Sequence, residues 1–309
     1  MKAAVYTTYG GPEVLHLREV EKPAPKGDEV LVHVHATTVT VGDTIMRSLE
    51  IPGSGWQRLF ARIYLGIRAP KRTILGMELA GEIEAVGKDV KRFEKGDRVF
   101  ASTFGVGFGG YAEYKCFPED GMIATKPANL SYEEAAALPG AAMTALRCLR
   151  KGGVRSGQKV LFYGASGAVG TYAVQIAKHL GAEVTGVCST TNLELVRTLG
   201  ADKVLDYTQE DFTLSAGTYD VVFDAVGKLD SSHGKKALKK AGAYLNVLTA
   251  SGSGEKSEDL LFVKGLAETG KIRPVVDRRY PLDQIVDAHR YVDQGHKKGN
   301  VVIAVARGQ

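Results

Sequence analysis

Between Lys159 and Gly170 a short apolar run, Lys159-Val160-Leu161-Phe162-Tyr163, breaks into Gly164-Ala165-Ser166-Gly167-Ala168-Val169-Gly170. A helical pattern follows at once through Ala173, Val174, Ile176, Ala177 and Leu180, with Gly181 as its stop. The spacing reads A-x-G-x-x-G from Ala165 to Gly170, with Ala165 at the place usually held by the first glycine. Its chemistry is anion binding. Glycines let the backbone approach a pyrophosphate, and a helix start offers it free N–H groups and a positive dipole end. A ligand-free sheet with a tight turn would use the same residues, so the context has to decide. A second strand is predicted over Ala182 to Cys188, a helix over Asn192 to Leu199, and strands over Lys203 to Leu205 and Tyr219 to Ala225. Such alternation predicts a parallel sheet with crossover helices.

A second glycine-rich stretch, Gly105-Val106-Gly107-Phe108-Gly109-Gly110, satisfies G-x-G-x-x-G literally. Tyr111 to Phe117 follows it and reads as a strand, so no helix N-terminus is available and the stretch is read as a loop. At the end of the second predicted strand, Ser189-Thr190-Thr191-Asn192 is uncharged and rich in donors. An NAD site wants a carboxylate there for the ribose 2′-hydroxyl, so this turn favours NADPH, with NADH weaker. His33 and His35 share one face of a strand. They are read as its wetter face rather than as a metal pair.

The elements that must position these groups fall into regions. Before Lys126 the pattern is β-rich, with strands at Ala3 to Thr8, Leu15 to Val20, Glu29 to Val39, Leu79 to Val86, Asp97 to Ser102 and Tyr111 to Phe117. The parallel α/β pattern runs from about Ser131 to Leu248, with a fifth strand at Gly242 to Leu248. A helix near Ser257 to Thr269, a strand around Val275, a helix at Leu282 to Gln294 and a strand at Asn300 to Ala306 close the chain. Lys235, Lys236, Lys239 and Lys240 are placed on a helix with a solvated face. Arg58, Arg62, Arg68, Lys71 and Arg72 surround Trp56, Leu59, Phe60, Ile63, Tyr64 and Leu65, an amphipathic helix read as a lid or surface cover rather than a membrane anchor. With 309 residues, 44% of them hydrophobic and a net charge of +5, the chain has room for two cores and no strong electrostatic pull toward nucleic acid. Three scattered cysteines without a C-x-x-C pair argue against disulfides and zinc knuckles. No apolar run approaches the ~20 residues of a membrane span, and a cytoplasmic location is expected.

The chain resembles the medium-chain dehydrogenase/reductase superfamily, in its zinc-free quinone oxidoreductase (zeta-crystallin-like) branch. The likeness rests on Met1-Lys2-Ala3, Gly10 to Leu15, Gly76-Met77-Glu78-Leu79-Ala80-Gly81 through Gly87, Gly96 to Val99 and Gly109 to Tyr114. It continues through Ala135 to Pro139, Thr144-Ala145-Leu146 and the loop at Ala165. It implies an α/β fold, a doubly wound Rossmann sheet of five strands plus a GroES-like β-barrel domain. The barrel would comprise residues 1–125 and a returning segment 259–309, with the NADP-binding domain at 126–258 and the site in the cleft.

In the metal-dependent branch three places hold zinc ligands; Thr40, Met77 and Gly140 match them, and no metal is expected. The implied activity is NADPH-dependent reduction of quinones or α,β-unsaturated carbonyls, with Thr40, Asp43 and Tyr64 as candidate catalytic residues. Tyr111 is a further possible hydroxyl. Thr40 or a cofactor ribose hydroxyl would donate to the acceptor oxygen, and water would supply the last proton. Asp43 and Glu78 are read first as polar groups holding loops. The implied cofactor set is Thr144, Ala165, Ser166, Gly167, Ala168, Val169, Ser189, Thr190, Asn192, Tyr207, Val226, Leu248 and Asn300. A cofactor-binding sensor or RNA-binding crystallin-like protein with little turnover is the alternative reading; no stable nucleic-acid partner is expected. Ser251-Gly252-Ser253-Gly254 stands where relatives continue to a sixth strand that often pairs across a dimer, so a monomer is favoured over a homodimer.

Overall fold

The computed structural model describes residues 1–51, 53, 55–215, 218–250, 254 and 256–306. In chain order its strands and α-helices begin with β1 (Lys2–Val5), β2 (His16–Glu19), β3 (Glu29–Val39), α1 (Val41–Ser48) and α2 (Gly55–Leu65). β4 (Glu78–Val86), β5 (Arg98–Ser102), β6 (Tyr114–Pro118), β7 (Ile123–Thr125), α3 (Tyr132–Ala136) and α4 (Pro139–Lys151) follow. The alternating region holds β8 (Lys159–Tyr163), α5 (Ala168–His179), β9 (Glu183–Cys188), α6 (Leu193–Thr198), β10 (Lys203–Asp206) and β11 (Tyr219–Asp224). After it come α7 (Ser231–Lys236), β12 (Leu238–Asn246), α8 (Val247–Ala250), α9 (Ser257–Glu268), β13 (Val276–Pro281), α10 (Ile285–Asp293) and β14 (Asn300–Ala304).

Two units are present, Met1–Pro139 with Val276–Gln309, and Gly140–Val275. The first carries a seven-stranded sheet in the order β13-β14-β3-β4-β5-β7, with β6 also on β3, and a β1–β2 pair. Its long strand β3 is buried over most of its length, with His33 and His35 half-buried between Val32, Val34 and Ala36. Val30, Val32 and Val34 join Leu79, Ile83, Val99, Phe117, Val301 and Ile303 in that core. The second unit is a five-stranded parallel sheet in the order β10-β9-β8-β11-β12. Leu161, Val187, Leu205 and Val222 fill one of its cores. The first βα turn leaves the central strand, where the sheet's winding direction reverses, and ligands of such sheets bind at that switch.

The unit boundaries differ from 125/126 and 258/259. Helix α9 stays with the parallel sheet because Leu260, Val263 and Leu266 are buried and its Asp259 pairs with Arg150 of α4. Beyond it, Gln175 of α5 accepts from the Arg273 N–H at 2.7 Å and donates to its carbonyl at 3.0 Å. A further correction concerns Lys239 and Lys240. Helix α7 ends at Lys236, and both lysines stand on β12, where Lys239 Nζ lies 2.8 Å from Asp220. β12 begins at Leu238 because Tyr219 pairs with Leu238 before an irregularity brings Val221 opposite Ala243. It ends at Asn246, so Leu248 lies on the short helix α8. The β7 strand was not expected from sequence; three residues are too few for a period-2 signal. Ser251, Gly252 and Ser253 lie outside the described residues.

Candidate active site

In the second unit the cofactor candidates stand at the carboxyl ends of the parallel strands. Loop 164–167 follows β8, Ser189 to Asn192 follow β9, Tyr207 follows β10, Val226 follows β11 and Leu248 follows β12. Thirteen sequence candidates were named for the cofactor, and this one edge gathers those from Ala165 to Leu248. Gly167 caps α5 with no side-chain bond, leaving first-turn N–H groups for an anion. Gly170 is required sterically: a Cβ there would stand 2.2 Å from the Gly164 carbonyl oxygen. Gly164 and Ala165 both donate to the Val187 carbonyl at 3.0 Å, which ties the loop to the end of β9. Asn192 bridges the two turns, its Nδ2 donating to Ser166 Oγ at 3.1 Å and Ser189 Oγ at 3.3 Å. Its buried Oδ1 has no hydrogen-bond partner. A buried acceptor without a donor costs free energy, and a ligand hydroxyl or ammonium hydrogen would satisfy it. This cradle fits a dinucleotide.

One charge escaped the sequence reading. Thr190 Oγ1 donates to Asp206 Oδ2 at 2.5 Å, and Thr208 donates to Asp206 Oδ1 from its hydroxyl at 2.7 Å and its N–H at 2.9 Å. The Thr190 bond and then the Thr208 bonds hold the Asp206 carboxyl below the ordinary carboxylate range. The turn that reads as uncharged therefore carries a carboxylate beside Thr190. The missed signal was an acid at the end of the third parallel strand, one residue before Tyr207. Thr144 lies on α4, in the same unit.

In the first unit the candidate residues centre on the start of α1. Thr40 is its N-cap in a reciprocal capping box with Asp43. Asp43 Oδ2 accepts from the Thr40 N–H at 2.9 Å and the Thr40 hydroxyl at 2.6 Å, while Oδ1 accepts from the Gly76 N–H at 3.0 Å. The Tyr111 hydroxyl donates to Asp43 as well. Asp43 is fully buried, and desolvation lifts its pKa to about 6 against the pull of these donors. This sets a condition on the role expected for Thr40. Its hydroxyl hydrogen is committed to Asp43 whenever that carboxyl is ionised, so it is not free to reach an acceptor oxygen.

Behind Asp43 runs a buried chain that sequence reasoning missed. Arg47, on α1, donates from Nη1 toward His289 Nδ1 at 3.2 Å, from Nη2 to Asp293 at 2.8 Å and from Nε to the Gly10 carbonyl at 3.2 Å. Arginine only donates, so Nδ1 accepts and Nε2 of neutral His289 carries the proton. That N–H faces Tyr111 Oη at 3.1 Å. Burial first, and then the Arg47 charge, press the His289 pKa down to about 3. Tyr64, by contrast, lies on α2 with 61% exposure, on a different element from the Thr40–Asp43 pair. Asn300 opens β14 and is buried in the barrel unit. Lys297, just before it, donates to the Gly299 carbonyl at 2.6 Å, and burial lowers its pKa to about 8 despite nearby Glu78 and Asp277.

The ligand places do not suit zinc. Thr40 Oγ1 lies 3.5 Å from Met77 Sδ, a hydroxyl beside a thioether where thiolate, imidazole or carboxylate would be needed. Glu78 is tied to the Thr38 hydroxyl. His33 stacks on Tyr114 at 4.8 Å and His35 on Tyr132 at 4.2 Å, an aromatic packing role. Among the described residues no group of three or more His, Cys, Asp or Glu is placed to hold a metal. The loop at 105–110 is tied down by backbone bonds from Gly109 and Tyr111 to the Leu75 carbonyl and is followed by β6, not by a helix.

Residues 26–127 match the alcohol dehydrogenase GroES-like domain, and residues 168–276 match the family described as zinc-binding dehydrogenase. The 2-methylene-furan-3-one reductase of Solanum lycopersicum is 36% identical over 98% of this chain and 79% of its own length. The chloroplastic NADPH-dependent alkenal/one oxidoreductase of Arabidopsis thaliana is 33% identical with the same coverage. The chain belongs to the medium-chain dehydrogenase/reductase superfamily. The solved quinone oxidoreductase of Coxiella burnetii superposes on it with a TM-score of 0.86 at 30% identity, covering 99% of each chain. The GroES-like and Rossmann-type units expected of that superfamily are both present.

Proposed function

We propose that this medium-chain reductase transfers hydride from NADPH to quinones or α,β-unsaturated carbonyls and needs no metal. The observation that carries this reading is a glycine turn opening helix α5 at the carboxyl edge of the parallel sheet, in a chain whose ligand places hold Thr40 and Met77. A Lewis acid would be needed to oxidise an alcohol through a metal alkoxide, whereas an activated alkene or a quinone accepts hydride without one. The names of the tomato and Arabidopsis relatives support the substrate class. When bound, the reduced nicotinamide supplies the hydride. In this reading Gly167, Ala168 and Val169 offer N–H groups to the pyrophosphate, and Ser166, Ser189, Thr190, Asn192 and Tyr207 take the ribose and its 2′-phosphate. Val226 and Leu248 offer apolar surface at the strand ends, and Thr144 and Asn300 serve the nicotinamide end. Asp43 positions Thr40, and Thr40 serves the acceptor oxygen when Asp43 holds a proton of its own.

NADPH oxidation against a panel of quinones, alkenals and cyclic enones tests the reading, with and without a chelator. Turnover of at least one member, unchanged by the chelator, is expected. Robust alcohol dehydrogenation with no turnover of any quinone or enone overturns the reaction class. A stoichiometric, chelator-sensitive zinc overturns the metal-free mechanism.

A further inference from the structure

Helix α2 carries a row of large apolar side chains that its own unit leaves uncovered. Trp56, Leu59, Phe60, Ile63 and Tyr64 recur at i, i+3, i+4, i+7 and i+8, one face of the helix, with exposures of 73%, 48%, 67%, 46% and 61%. Ile67 extends the row just beyond the helix at 60%. Leu65, on the opposite face, is 6% exposed, and the Tyr9 hydroxyl donates to the Gly66 carbonyl at 2.9 Å, so the helix is anchored by its back. Single exposed apolar residues are ordinary, but a contiguous row of this size marks a binding surface.

The charges around the row say what it meets. From Ile51 to Met77 the sequence has Arg58, Arg62, Arg68, Lys71 and Arg72 and no Asp or Glu. All five cations are exposed. Arg58, Arg62 and Lys71 donate to the carbonyls of Ile51, Ile67 and Ile63, contacts that fix the side chains without neutralising them. Among the described residues none of the five forms an ion pair. A Trp/Phe/Leu/Ile face bordered by arginines is the composition of a helix that lies in a bilayer interface, its apolar face among acyl chains and its cations at anionic headgroups. A second copy docking the same face would bring like charges together. Among the described residues no helix is long and apolar enough to cross a membrane.

We infer that α2 docks the protein on an anionic lipid surface. The inference goes beyond the reductase reading and stands without it, although a bilayer is where apolar quinones and enones concentrate. The chain supplies its own probe, because Trp56 is its only tryptophan. The full-length protein is mixed, without substrate, with vesicles of phosphatidylcholine alone and of phosphatidylcholine with phosphatidylglycerol, and binding is followed by Trp56 emission and by flotation. A blue shift and flotation are expected with phosphatidylglycerol, weakening as salt rises. Phe60→Ser with Ile63→Ser lowers partitioning about tenfold or more by removing apolar area. Arg58→Gln with Arg62→Gln removes most of the preference for phosphatidylglycerol. All four positions are exposed, so the fold is kept, and turnover of free substrate checks this separately. No blue shift and no flotation at low salt overturns the inference. It is equally overturned if the shift appears without lipid, on raising protein concentration or on adding NADPH, while the vesicles float alone.

Discussion

At the scale of single residues, two carboxylates bear on the proposed chemistry. Asp206 sits against Thr190, so a 2′-phosphate bound at this turn meets a negative charge that the local sequence does not show. In the proposed reading the NADPH preference is therefore modest, and Asp206→Asn should enlarge it several-fold, as expected on removing a partly screened charge. Thr191→Arg should act in the same direction. Titrating NADPH and NADH against both variants at fixed ionic strength checks this; an unchanged or reversed ratio counts against the placement of the phosphate. Asp43 sets a second expectation. Its pKa of about 6 lies above the ordinary value, so as pH falls through 6 it gains a proton and can donate to Thr40 Oγ. The Thr40 hydroxyl hydrogen is then free to turn to the acceptor oxygen. Turnover should rise on lowering pH through about 6, and this limb should vanish in Thr40→Val, with a loss of no more than roughly 10²–10³-fold. A flat profile in the parent enzyme would remove Thr40 from the chemistry.

At the scale of elements, local pattern and local structure agree where the pattern is strong. β3 spans Glu29–Val39 as read from the run between its flanking Gly, Pro and Asp residues, and the β8–turn–α5 unit stands where its glycines put it. Gly170 is the tightest point of that unit. Gly170→Ala would press a methyl on the Gly164 carbonyl, so the turn must open. A loss of about 1–3 kcal/mol in stability, the usual cost of overpacking, together with weaker NADPH binding, is expected in thermal melts with and without cofactor. Retained affinity and an unchanged melting temperature would mean that the turn is looser than its geometry shows. Lysines 239 and 240 were assigned to a helix because charge and spacing alone do not separate the end of a helix from the start of an edge strand. β12 is decided by its partner β11, including the irregularity at Tyr219.

At the scale of the whole molecule, the Arg47–His289–Tyr111–Asp43 chain couples α1, α10 and the segment before β6 within one unit. His289 has its pKa depressed from 6.5 to about 3. Below pH 6.5 the unfolded chain takes up a proton that the native state refuses, so stability falls as pH drops from 6.5 toward 3, by on the order of 4 kcal/mol for this group. Asp43 works the other way: its raised pKa makes the native state the better proton acceptor between about 4 and 6, which offsets part of the loss. His289→Gln keeps one acceptor and one donor but cannot charge. Its stability should decline less steeply on acidification, read as urea midpoints against pH. A decline as steep as the parent's would show that His289 does not carry the acid limb. Among the described residues the parallel sheet ends at β12, and a monomer is expected in light scattering over a range of concentrations; a persistent dimer mass would mean that another surface associates.

The sequence alone was enough for the family, the two kinds of sheet, the five parallel strands and the glycine turn between β8 and α5. Each of these rests on residue types repeated at short range, where backbone geometry ties pattern to structure: period 2 in the middle of β3, helical spacing after Gly170, and glycine where a carbonyl stands 2.2 Å from a would-be Cβ. Tertiary structure alone decided that Asp206 faces Thr190, that Thr40 spends its hydrogen on Asp43, and that His289 lies behind Tyr111. Those partners are 16, 3 and 178 residues apart. Even the near pair depended on the fold, because Gly76, which shares Asp43, comes from another segment 33 residues away. Burial set the pKa values of Asp43 and His289, and burial belongs to the packed core, whose walls are drawn from both ends of the chain.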